Sequence, residues 1–239
     1  MTERCHRKTA AIVGALFIIA TAASLASAPF LGSALEGSDY ILRLSATGNN
    51  MVIASVLEII LAISVVAIGV LMLPILRKRV DGLGTAYAGI RLVEAIFIVA
   101  SAVSLLYMLS AGQDYAAGRL DETRALSMGA SLISLREWSL IFGTLIFLGI
   151  GGLTLNYGLY RSKLVPRWLS TWGIVGGVCI LIYGAMGVFG TDTSSFDATT
   201  LLALPIAVQE MVFASWLIVK GFDTPTNVDE KRAEMLSHT

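Results

Sequence analysis

Charge and the usual ligand-forming residues are scarce in this chain of 239 residues. Only 14% of the side chains are charged, where soluble domains average about 25%. Basic and acidic residues balance at 17 each, and so low a charge content excludes a nucleic-acid-binding domain. Histidine occurs twice, as His6 and His238 close to the two ends, which leaves none for an internal Glu-x-x-His di-metal centre or a His-ligated haem. The two cysteines, Cys5 and Cys179, are too few and too differently placed for a disulfide framework. Lysine is missing from the interior of every long apolar run, so a retinal-type Schiff base has no partner; Lys220 falls at an edge. Serine and threonine are plentiful, but no histidine base lies near them to make a nucleophile. These absences point to no cofactor and place an enzyme behind other function classes.

What is present is hydrophobic. Apolar residues make up 56% of the chain and the mean hydropathy is +0.77. A spanning helix needs roughly 20 mostly apolar residues, because 1.5 Å per residue must cover about 30 Å of hydrocarbon. Six stretches qualify: Thr9–Ala28, Met51–Ile75, Thr85–Leu109, Trp138–Tyr160, Trp168–Val188 and Leu201–Val219. The first carries a basic flank (Arg4, Arg7, Lys8) and the small residues Ala26-Ser27-Ala28, both marks of a cleaved signal peptide. Its apolar run is long for such a segment and Pro29 would follow the cut, so we read it as a retained helix. The sequence thus predicts an all-α, polytopic membrane protein. Residues 1–222 form one six-helix domain and 223–239 a polar tail, with the lipid bilayer as the first partner.

Lysine and arginine accumulate on the cytoplasmic side of membrane proteins. With the N-terminus inside, the cytoplasmic segments collect twelve of the seventeen basic residues, among them Arg77, Lys78, Arg161, Lys163, Arg167 and Lys220. Arg43, Arg119, Arg124 and Arg136 fall on the other side, and Arg91 lies within a span. An odd number of helices would break this alternation, so both termini are expected in the cytoplasm. The outer loops are expected at Glu36–Asn50 and Ala111–Glu137. Within the second, Leu126, Met128, Leu132, Ile133 and Leu135 recur at near-helical spacing, which predicts a surface helix leading into the fourth span.

Four ionisable residues stand inside the proposed spans: Glu58, Arg91, Glu94 and Glu210. Such groups are costly at membrane depth unless paired or hydrated, and they mark function by default. Arg91 and Glu94, three apart, share a helix face. If all four met in one cavity, three carboxylates would face one guanidinium. A proton or a cation would then have to make up the excess. Asn49, Asn50, Tyr87, Tyr107, Gln209, Arg136 and Glu137 are polar neighbours able to complete a site, and Glu137 is carried as a fifth candidate. For Arg136, Glu137 and Trp138 the competing reading is an anchor at the membrane interface. Likewise, Arg91 with Glu94 or Glu210 can be a lock between helices rather than a ligand site.

Glycines crowd the fourth and fifth spans, and Gly173–Gly177 has the GxxxG spacing that lets helices approach closely in lipid. Packing between neighbouring spans explains it, with a homodimer face as the alternative. The third and sixth spans also share an echo, Val93-Glu94-Ala95-Ile96-Phe97 and Gln209-Glu210-Met211-Val212-Phe213. Five positions in apolar sequence do not separate an inverted repeat from chance.

Several separated motifs occur in the order of a known family. They are Val65-Val66-Ala67-Ile68-Gly69-Val70-Leu71 with Pro74-Ile75-Leu76-Arg77, then Arg91-Leu92-Val93-Glu94-Ala95 and Arg136-Glu137-Trp138. Leu159-Tyr160-Arg161-Ser162-Lys163-Leu164-Val165-Pro166-Arg167 follows, and Glu210 with Trp216-Leu217-Ile218-Val219-Lys220-Gly221-Phe222 completes the set. Together they resemble the prokaryotic membrane proteins grouped as domain of unknown function 4386. The resemblance implies a bacterial or archaeal plasma membrane, and puts Glu58, Arg91, Glu94, Glu137 and Glu210 on the family's polar positions. It implies no activity. Leu61 stands where the resemblance expects Asn, and Asn156 where it expects Gly. The function expected is a small binding or transport-like module for a cation, a proton or a polar ligand. The alternative is a structural or partner-binding subunit whose charges hold helices together.

Overall fold

The computed structural model describes residues 3–32, 35, 40–78, 80–191 and 198–223. Long apolar runs leave the backbone no water to bond to, so every N–H and C=O must be satisfied within its own helix. The described residues accordingly form helices and contain no strand: α1 (Glu3–Gly32), α2 (Tyr40–Arg77), α3 (Leu83–Ala116), α4 (Glu122–Leu140), a π-helical turn Ile141–Phe147, α5 (Leu148–Ser162), α6 (Arg167–Val188), a 3-10 turn Ala198–Ala203 and α7 (Leu204–Val219). Six continuous stretches among them are long and apolar enough to cross a membrane: Arg7–Gly32, Gly48–Arg77, Leu83–Ala116, Glu122–Ser162, Arg167–Val188 and Leu201–Val219. Each contains one of the six stretches picked out from hydropathy. The proposed tail lies almost wholly outside the described residues, which end at Asp223.

Two loops between spans are shorter than expected. α2 already begins at Tyr40 within the segment 36–50, and only residues 117–121 separate α3 from α4. Hydropathy measures the width of the hydrocarbon, and a helix does not stop where the hydrocarbon does. The surface helix foreseen over 125–135 is present, and runs without a break into the fourth span. Its start is fixed by Asp121, whose Oδ1 accepts the Arg124 backbone N–H at 2.9 Å, as an N-cap residue does. At the sixth span Pro205 occupies the first turn of α7, where its missing N–H is no loss.

The chain crosses up and down. α1 packs on α2 and α7, α2 on α3, α5 on α6 and α6 on α7. The basic segments converge on one end of the bundle, called the basic end below. There the Asp223 N–H donates to Leu164 O at 2.8 Å, Arg7 reaches Val219 O at 3.5 Å, and Leu76 and Leu83 flank Gly158. Beneath these loops Phe17, Met72, Leu76, Tyr87, Phe213 and Leu217 form a tightly buried core, with Phe17 and Phe213 edge to face at 5.6 Å. A second core at the opposite end joins Leu31, Leu44, Met51, Leu105, Met108 and Ala125. Large apolar residues such as Ile63, Val70, Ile96, Val175 and Ile182 cover the outside, which is the surface a helix bundle presents to lipid.

Without a hydrophobic drive between helices in lipid, close approach rests on small residues. A Cβ on Gly69 would lie 2.9 Å from Arg91 Cβ, and one on Gly143 would lie 2.8 Å from Phe97 Cβ. These two glycines bring α2 and the π-helical turn against the same stretch of α3. The Gly173–Gly177 face is filled from within the chain: Gly173 abuts the Asn156 side chain, and Gly177 abuts Leu153.

Candidate functional site

Two polar centres lie inside the bundle, one above the other. The first is built on α3. Arg91 sends Nε to the Tyr87 hydroxyl at 2.9 Å and Nη1 to both oxygens of Glu94 at 3.0 Å each. Tyr87, Arg91 and Glu94 fall at i, i+4 and i+7, so one face of the helix carries all three. The guanidinium carbon also stands 5.3 Å from the Tyr87 ring centre and 5.7 Å from that of Phe17, within the range of cation–π attraction. Space for this cluster comes from glycine: a Cβ at Gly151 of α5 would sit 3.8 Å from Arg91 Nε and 3.9 Å from Glu94 Oε2.

From across the bundle, α7 brings Glu210, whose Oε1 is 3.7 Å from Arg91 Nη2. That distance is within ion-pair range but too long for a hydrogen bond, and Nη2 has no hydrogen-bond partner in the protein. Arg91 and Glu94 are almost entirely enclosed, whereas 17% of the Glu210 side chain is exposed. It opens onto a cavity of about 250 Å³ whose walls are otherwise mostly apolar, with Phe17, Leu61, Ile98, Leu148, Ile180 and Ile206 among them. Counted as ions, two carboxylates face one guanidinium here. The two glutamates of the sequence echo therefore meet on Arg91.

Glu58 is not part of this cluster. It pairs with Arg136, Oε1 to Nη1 at 2.8 Å, and the same Nη1 also donates to Ser101 Oγ. Three spans are tied together by this centre: α2 through Glu58, α3 through Ser101 and α4 through Arg136. The count of three carboxylates against one guanidinium thus becomes two against one at Arg91 and one against one at Arg136. Along α3, Ser101 lies seven residues beyond Glu94, about 10 Å at 1.5 Å per residue. Glu58 and Arg136 are both buried, and Glu58 Oε2 has no hydrogen-bond partner in the protein.

Glu137 is exposed, since the residue after Arg136 is turned about 100° around the helix. Trp138, 47% exposed, also looks outward. Of the polar neighbours, Tyr87 and Arg136 join the centres. Tyr107 and Asn49 are exposed. Gln209 makes a separate buried contact, donating to Asn156 Oδ1 at 3.2 Å, while Asn156 donates to Gly152 O at 2.8 Å. Ser101 and the π-helical turn carried no mark in the sequence. A signal for Arg136 did exist: Ala125, Gly129, Arg136, Ser139 and Gly143 follow helical spacing and are all buried, a stripe that crosses the expected start of the span at Trp138. Among the described residues no three His, Cys, Asp or Glu side chains come together as a metal site.

Six apolar helices enclosing ion-paired arginines define a multi-pass α-helical membrane protein. The chain matches the family described as domain of unknown function (DUF4386) over residues 12–221. It belongs to that family, and both polar centres lie inside the match. No curated protein and no solved structure matches the chain.

Proposed function

We propose that this protein is a small intramembrane binding module that takes up a monovalent cation, a proton or a compact ammonium group at Glu210. The observation that carries the proposal is the unequal service Arg91 gives its two carboxylates. Glu94 takes two hydrogen bonds from the guanidinium, and Glu210 takes none at 3.7 Å while facing the cavity. A single excess negative charge in low-dielectric surroundings calls for one positive charge beside it. The apolar walls favour a bare ion, a proton or a cation with a small hydrocarbon body over a large polar solute. Arg91 then serves as the fixed counter-ion that holds Glu94 and limits the charge deficit to one. The basic loops fit a plasma-membrane setting with both termini in the cytoplasm, in the bacterial or archaeal cell that the family resemblance implies.

The Glu58–Arg136 centre has a structural role of its own. Its charges balance and its pair is closed at 2.8 Å, so it acts as a lock between α2, α3 and α4. The test is thermal unfolding of purified protein from about pH 5 to 9, in sodium, potassium and butylammonium salts, with Glu210→Gln beside the wild type. A response of the wild type to pH or cation that the variant lacks is the expected result. Equal responses in both, with the variant uniformly less stable, would make Glu210 a second lock and refute the binding function.

A further inference from the structure

The cavity at Glu210 has a neighbour. A second cavity, of about 570 Å³, is lined by Glu58 and Arg136 and by Ser27, Ala28, Leu31, Gly32 and Leu35 at the end of α1. Ser24, Leu61, Ile98 and Thr144 line both cavities. One residue comes from each of α1, α2, α3 and the π-helical turn, so the shared wall is a ring around the bundle interior. Its height follows from helix geometry. Leu61 stands three residues from Glu58 toward the basic end, about 4.5 Å, and Ile98 four residues from Glu94 the other way, about 6 Å. The ring therefore lies between the two polar centres. On the far side of Glu210, toward the basic end, Phe17, Met72, Tyr87, Phe213 and Leu217 are buried in a closed core. The outer cavity instead follows α1 from Ser24 to its last residue, Gly32, about two and a half turns, and past it to Leu35.

We infer that the two cavities are one route, open at the end opposite the basic loops and blind at the basic end, with Leu61, Ile98 and Thr144 as its constriction. The ion or proton bound at Glu210 arrives past Glu58 and Arg136. Glu58 uses Oε1 to hold Arg136 and keeps Oε2, an acceptor with no protein partner, as a first station. Leu61 and Ile98 form an apolar neck of the kind that controls passage by dewetting, and Thr144 brings a hydroxyl to it. The route rests on Glu210 being the binding group, yet its accessibility can be measured with no ligand at all.

Ala20 lines the inner cavity and Ser27 the outer one, on the same face of α1. With Cys5 and Cys179 changed to Ser, Ala20→Cys and Ser27→Cys are each exposed in cells to a membrane-impermeant cationic methanethiosulfonate reagent. Modification is followed by mass. Both are expected to react from the side opposite the basic loops, Ser27→Cys faster. Adding Leu61→Trp should slow Ala20→Cys about tenfold or more and leave Ser27→Cys unchanged, whereas Leu61→Ala should speed Ala20→Cys. Reaction of Ala20→Cys from the basic end, no reaction there at all, or indifference to both Leu61 changes would overturn the route. The same rates in a Glu210→Gln background separate the two proposals. Reactivity kept there, with the cation response absent from the wild type, would leave the route standing and the binding function refuted.

Discussion

Removing either charge of the Glu58–Arg136 pair should cost more than removing both. The two ions lie 2.8 Å apart with side chains 5% and 10% exposed. At an effective dielectric of about 20 their attraction is about 6 kcal/mol. Desolvation of two buried ions offsets most of that, so the intact pair adds little net stability. A partner left alone retains its desolvation penalty without the attraction, and stability falls by about 3–5 kcal/mol. For a chain of this size, 1 kcal/mol moves Tm by about 2–4 °C, so Glu58→Gln and Arg136→Met should each lower Tm by roughly 6–20 °C. The double variant has no buried charge to strand and should lie closer to the wild type than either single variant. The measurement is a double-mutant cycle by thermal unfolding in one detergent at one scan rate, since the apparent Tm of a membrane protein depends on both. Additive losses, or single variants as stable as the wild type, would refute the pairing.

At Arg91, Lys keeps the charge but not the fork that serves Tyr87, Glu94 and Glu210 in three directions. Arg91→Lys should therefore lose at least one charge-assisted bond, about 1.5–3 kcal/mol, measurable as a lower midpoint in a denaturant or heat titration. The glycines divide by what surrounds them. Gly173→Ala drives a methyl group into the Asn156 side chain and should cost about 1–3 kcal/mol. Gly89→Ala, on an exposed face of α3 with nothing within 4 Å, should gain about 0.4–1 kcal/mol. If Gly173→Ala is as harmless as Gly89→Ala in the same unfolding assay, the tight seat of Asn156 is wrong.

The spans were legible because hydropathy over some twenty residues is a sum, and sums survive local irregularity. Each expected span falls inside one continuous helical stretch of the structure. The partners of the buried charges were less legible, since they depend on how each helix is rotated about its axis. Arg91 with Glu94 and Tyr87 could be read within one helix, from spacing alone. The meeting with Glu210 needs the orientation of α7, and the pair Glu58–Arg136 needs α2 and α4 together. Setting the fourth span to begin at Trp138 left Arg136 at the water interface, whereas the helix had already turned it inward. Leu61 shows the same limit. In the sequence it stands out only as a leucine where the family resemblance expects Asn, and the two cavities on either side give it a place.

The π-helical turn makes the fourth crossing two half-helices with a fixed angular offset. Each i→i+5 bond accommodates one more residue per turn than an α-helix does, and one residue is worth about 100° of rotation. Above the turn, Arg136 looks toward α2 and α3. Below it, Gly149 and Gly152 look toward Leu181 of α6 and Ile206 of α7. The segment Ile141–Phe147 thus specifies the fold by how many residues it contains as much as by which they are. Conservative replacements within it leave the two halves in register, whereas the loss of a single residue turns the lower half away from its neighbours while leaving hydropathy and composition almost untouched. Gly143 is held by its contact with Phe97, and the rest of the segment is constrained by its length as well as by its side chains.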